Sequence, residues 1–143
     1  MIDSAEPVRP ARRAFRAWAG LLLLLGSCGI AAAWVLFAYA RDQQASWMAV
    51  VAAIDAAVLL RLARVPGGWM RASWGVVATM LAIALANWGI AAAQIGRLVG
   101  LLPWESALRL GPSHAWTLIS LANPAPQLAW LALALVVAAV ASR

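Results

Sequence analysis

The sequence predicts an all-α membrane protein: a four-transmembrane-helix bundle with an amphipathic interfacial segment between helices 3 and 4. Three observations predict it. Of the 143 residues, 65% are hydrophobic and only 11% are charged, against roughly 25% charged in a soluble domain. The apolar residues gather into four runs, each near the roughly 20 residues a helix needs to cross the hydrocarbon layer. Finally, the arginines stand at the ends of these runs and not inside them. Mean hydropathy is +0.84. A soluble fold of this composition would lack the polar surface to cover itself.

Residues 1–16 read as a basic cytoplasmic tail, with Pro7, Pro10 and the arginines Arg9, Arg12, Arg13 and Arg16. Such a segment is disordered or lies on an anionic membrane surface. Residues 17–143 form the transmembrane domain. Its first expected span, 17–40, carries no charge and ends at Arg41-Asp42-Gln43-Gln44. The second, 46–62, is short and is interrupted by Asp55; Arg61 can snorkel to the interface and lengthen it. Pro66-Gly67-Gly68 makes a turn, and the third span, 73–95, follows. Short connections make these three helices antiparallel neighbours. Residues 98–125 are too polar to span and too apolar for an ordinary loop. Pro103 suits a helix start, Gly111-Pro112 a stop, and Ser113 a cap for a second short helix over 114–121, so two short helices in the outer interface are expected. The fourth span is 126–142.

Arginine placement sets the orientation. With the N-terminus inside, the tail, the turn between helices 2 and 3 (Arg61, Arg64, Arg71) and Arg143 place eight of the eleven arginines in the cytoplasm, leaving Arg41, Arg97 and Arg109 outside. Trp18, Trp69 and Trp74 then fall near the inner interface, and Trp47, Trp104, Trp116 and Trp130 near the outer one. A basic complement made only of arginine, in an alanine-rich chain, suggests a GC-rich bacterial genome. The expected location is therefore the bacterial inner membrane, multi-pass, with both termini cytoplasmic. The net charge of +6 is topogenic and does not indicate nucleic-acid binding. Arg12-Arg13-Ala14-Phe15 and Leu25-Gly26-Ser27-Cys28 also resemble parts of export signals, and cleavage at Cys28 would leave a lipid-anchored protein. The apolar run continues through Trp34, Val35, Leu36 and Phe37, as a spanning helix does and a signal core does not.

Helix 3 holds a regular pattern. Gly75, Thr79, Ala82, Ala86, Gly89, Ala93, Gly96 and Gly100 recur at alternating spacings of four and three, and all are small. Helices in lipid gain no hydrophobic energy by meeting, so they associate by close packing, which small residues permit. A 3.5-residue seam predicts a left-handed crossing near +20°.

Asp55 lies near mid-bilayer by residue count, where a carboxylate is costly and is paired, protonated or facing water. Asn87 and Gln94, seven apart, share a helix face, and a cluster of Asp55 and Asn87 with Ser27 is geometrically plausible. It would serve either as an ion or proton site or as a neutral hydrogen-bonded contact between helices. In the outer segment Glu105 and Arg109 stand at i and i+4, the favourable order for a helical ion pair, and His114 is a candidate headgroup ligand or acid-base group. The single cysteine, Cys28, reads as a packing residue. One cysteine and one histidine leave no recognisable metal site, and no cofactor motif is present. The expected role is a non-enzymatic accessory or scaffold protein acting through helix packing, with membrane lipid and either a second copy or another membrane protein as partner. The alternatives are a small ion- or proton-coupled transporter using Asp55 with Asn87, and a lipid-handling enzyme at the outer interface.

Overall fold

The computed structural model describes residues 9–122 and 124–143, with side chains for 17–121 and 124–143. Among the described residues there are only helices, turns and irregular segments, and no strand. The helices are α1 (Arg9–Arg41), α2 (Met48–Leu62), α3 (Trp69–Val99), α4 (Pro103–Arg109), α5 (Pro112–Ala122) and α6 (Ala125–Ala141). Leucine and alanine favour helix, and few residues inside these segments oppose it. Breaks fall where the backbone leaves right-handed space: Asp42 (φ 52°), Ala45 (φ 47°) and Arg64 (φ 53°) are left-handed without being glycine, and Gly68 (φ 137°) precedes α3. α3 ends at Gly100 (φ 68°), where the Leu101 N–H donates to the Gly96 carbonyl at 2.9 Å, a Schellman ending that satisfies an orphan carbonyl.

α3 is the axis of the molecule and packs against each of the other five helices; α2 packs between α1, α3 and α6. The largest core cluster contains Trp34, wholly buried, and is otherwise mostly alanine: Ala31, Ala38, Ala49, Ala53, Ala86, Ala134 and Ala138, with Met48 and Ile90. Backbones, not large side chains, therefore meet at the centre. Leucine, valine and tryptophan face outward instead, among them Leu25, Leu36, Val58, Leu62, Val77, Val136 and Val140. This is the inverse of a soluble core and the distribution expected with lipid as solvent.

Two helices, α1 over residues 17–41 and α3, are long and apolar enough to cross a membrane, and α5 with α6, bent by 105° at their break, meets the same condition as a pair. The chain thus has two to three such segments, where four were expected. The shortfall lies in α2 and α6. The expected span 46–62 is helical for 15 residues, about 22 Å at 1.5 Å per residue. The expected span 126–142 corresponds to a helix of 17 residues that meets the condition only together with α5. α1 and α3 run beyond their expected bounds. Residues 9–16, expected in the tail, are helical, while 1–8 lie outside the described residues. The two short helices expected in 98–125 are present as α4 and α5.

Candidate functional site

The small-residue seam of α3 is buried from Gly75 to Gly96 apart from the half-buried Gly89, and Gly100 is exposed. It does not meet a single partner helix. A Cβ on Gly75 would overlap Ser142 at the end of α6, one on Gly89 would lie 2.6 Å from Val35 Cγ2 of α1, and one on Gly96 would lie 2.8 Å from the Leu101 carbonyl oxygen. Thr79 Oγ1 donates to the Gly75 carbonyl at 2.8 Å, so its hydroxyl is satisfied within the helix. The seam is filled by this chain's own elements.

A polar network lies where the α1–α2 connection folds back into the bundle. Trp34 Nε1 donates to the Gln44 carbonyl at 3.2 Å. Gln44 Nε2 donates to Asn87 Oδ1 at 2.9 Å, and Asn87 Nδ2 donates to the Ile83 carbonyl at 2.9 Å. Beside it, Ser46 Oγ donates to Gln127 Oε1 of α6 at 2.8 Å. The neighbour of Asn87 is thus Gln44 and not Asp55. Asn87→Leu is expected to leave the Gln44 amide without its acceptor and to destabilise the protein by about 1 kcal/mol; thermal melting in detergent, with Gln44→Leu in a double-mutant cycle, measures it.

Asp55 sits at the midpoint of α2, half-buried, on the side facing α1. Its Oδ2 is 3.4 Å from where a Cβ on Gly26 would stand, and Leu59 occupies the rest of that space. Gly26 is what lets α2 side chains approach the α1 backbone so closely. Ser27 turns the other way, donating to the Ala78 carbonyl at 3.1 Å. Asp55, Asn87 and Ser27 are therefore not brought together. Among the described residues, no hydrogen bond or ion pair reaches the Asp55 carboxylate.

Gln94 is exposed and lines a small hollow with Tyr39, Asp42 and Arg97. There Arg97 forms an ion pair with Asp42 at 2.9 Å and lies over the Tyr39 ring, 3.6 Å from its centroid.

Glu105 and Arg109 do not form the expected pair. Glu105 Oε2 accepts the Leu102 N–H at 3.2 Å, capping the first turn of α4, where free N–H groups attract a carboxylate. Arg109 faces a separate groove between α3, α4 and α5, lined also by Ile95, Leu110, His114 and Leu118. The structure thus unites Arg109 with His114 and separates both from Glu105. Cys28 is exposed.

A further constellation was not anticipated. Arg71, in the first turns of α3, donates from Nε to the Ser142 carbonyl at 2.5 Å, from one terminal nitrogen to Val65 at 3.3 Å and from the other to the backbone oxygen of Arg143 at 2.7 Å. Arg61 adds a bond to the Ala141 carbonyl at 3.3 Å, and the Gly68 N–H one to Arg143 at 3.2 Å. The carbonyls at and just past the end of α6, which no further helical turn satisfies, are held by Arg61 of α2, Arg71 of α3 and Gly68 of the turn between them. In the sequence these arginines carried a topogenic meaning, with snorkelling for Arg61; Arg71 stood outside the expected span 73–95, and only the start of α3 at Trp69 puts it inside the helix. Among the described residues no group of acids, histidines or cysteine could hold a metal ion.

These features are those of an all-helical chain whose two to three candidate membrane-spanning segments indicate a membrane protein. Comparison with protein families, with curated proteins and with solved structures found no match.

Proposed function

We propose that this chain is a bacterial inner-membrane accessory protein of four spans, with both termini cytoplasmic, that acts without catalysis by docking a transmembrane helix of a different membrane protein. The carrying observation is Asp55. It lies at the middle of a helix, in the groove between α1 and α2, with no partner among the described residues. A carboxylate so placed in lipid is strongly stabilised by a donor brought from outside the chain. A second copy is a poor source, because the chain has no lysine and its arginines stand at the edges of the apolar runs. A partner helix bearing Lys, Arg or His at mid-depth fits the charge. Beside Asp55 the α1 face offers room: a Cβ on Gly29, one turn from Gly26, would have nothing within 4 Å. The four-span reading is supported by the packing of α2 against the long α1 and α3 and of α6 against α3 and α2, and by the arginine distribution.

The test is a photocrosslinking residue placed at Gly29 of the full chain in native membranes. The expected result is an adduct whose partner peptide is a spanning helix with a basic residue. Asp55→Lys should remove that adduct at unchanged expression, and exchanging the partner's basic residue for Asp should restore it. An adduct of twice the chain's mass, or one indifferent to Asp55→Lys, would refute the proposal. So would proton-coupled solute uptake by the purified chain alone that is lost in Asp55→Asn, which is the transporter's signature.

A further inference from the structure

The groove between α3, α4 and α5 carries an inference of its own, independent of Asp55. Among the described residues the Arg109 guanidinium has neither an ion-pair nor a hydrogen-bond partner, because Glu105, the acid one turn away, is turned back onto the Leu102 N–H. His114 stands on the same groove, with its Nδ1 3.9 Å from where a Cβ on Gly111 would be. The rest of the lining is mostly apolar: Ile95, Leu110 and Leu118, with Gly111 and with Thr117, whose hydroxyl is taken up by the Ser113 carbonyl. The helices that build it present Trp104, Leu108, Trp116 and Leu121 outward, Leu108 at 88% and Trp116 at 73% exposure. Tryptophans of this kind sit at the headgroup level of a bilayer. A guanidinium matches phosphate oxygens with two parallel donors. We infer that this groove binds a phosphate group, with Arg109 as the principal donor and His114 beside it. The apolar lining selects a phosphate carried on acyl chains, that is, an anionic phospholipid headgroup, over a free anion.

Native mass spectrometry of the full chain in a neutral detergent tests this, with phosphatidylglycerol and phosphatidylcholine as probes and inorganic phosphate as competitor. Phosphatidylglycerol should be retained in preference to phosphatidylcholine. Arg109→Gln should weaken that retention about fivefold, the effect of one basic group near an anionic headgroup. Arg109→Lys should recover part of it, and Arg64→Gln, at the opposite end of the bundle, should change nothing. Equal retention of the two lipids, or retention unaffected by Arg109→Gln in a protein that still runs as a folded species, would overturn the site. Displacement by inorganic phosphate at concentrations comparable to the lipid would overturn the lipid assignment in favour of a free anion.

Discussion

Replacing Gly75 by leucine is expected to destabilise the bundle by about 3 kcal/mol, the upper part of the range for overfilling a packed contact. A Cβ at this position would overlap the Ser142 hydroxyl, stand 2.7 Å from Ser142 Cβ and reach 3.4 Å from the Ala138 carbonyl oxygen. These atoms belong to or adjoin the α6 backbone, so no flexible tip can swing aside and the whole end of α6 must move. Ser142 is itself wholly buried, with a hydroxyl that has no partner among the described residues, so the contact already leaves no slack. Displacing α6 also pulls its carbonyls from Arg71, and the two losses combine. Gly29→Leu is the control, since that site is open and the added bulk should leave stability within about 0.5 kcal/mol of the parent. Thermal unfolding in detergent, followed by the surviving monodisperse fraction, distinguishes them. A Gly75→Leu protein as stable as the Gly29→Leu protein would show that α6 does not seat on α3 at this glycine.

Arg71→Ala is expected to cost about 2–3 kcal/mol, as the loss of charge-assisted hydrogen bonds to otherwise orphaned carbonyls does. The same side chain bonds Val65, Ser142 and Arg143, so its removal unties the α2–α3 turn and the end of α6 together. Arg71→Lys should recover less than half of the loss, because an ammonium on a single stem does not reproduce the planar fork. Amide hydrogen exchange measures this locally. Residues 138–143 should exchange faster in Arg71→Ala, while α1, which does not pack against α6, keeps its protection. Unchanged exchange at 138–143 would show that the carbonyls find other donors.

The long helices were legible because their signal is local: an uncharged apolar run at 17–40 or a small-residue seam along α3 needs no knowledge of neighbours. Glycine at 75, 89 and 96 also announced close approach, although not to which element. What escaped was azimuth. Counting residues puts Asn87 only somewhat further out than Asp55, yet depth says nothing of facing: Asp55 turns to Gly26, whereas Asn87 turns to the α1–α2 connection. Gln44 was unreadable as the partner of Asn87 because a loop side chain's destination depends on how the loop folds. Glu105 shows a different failure. Its sequence neighbours offered both Arg109 and the free Leu102 N–H, and an exposed ion pair is worth under about 1 kcal/mol. An N-terminal backbone donor competes well with that. Arg71 escaped because an arginine near a membrane helix end is counted as a topological charge before it is considered as a donor.

The left-handed turn at Ala45 has a consequence for how the interior is held. An alanine there costs roughly 1 kcal/mol relative to glycine, yet glycine's freedom is absent just where Gln44 enters the bundle and Ser46 meets α6. The methyl group disfavours the left-handed dihedrals that Ala45 adopts, so the corner does not hold itself: the Gln44–Asn87 and Ser46–Gln127 hydrogen bonds on either side of it keep the strained residue in place. A strained corner pinned from both sides by hydrogen bonds thus supplies fastening that side-chain bulk does not supply in an alanine centre.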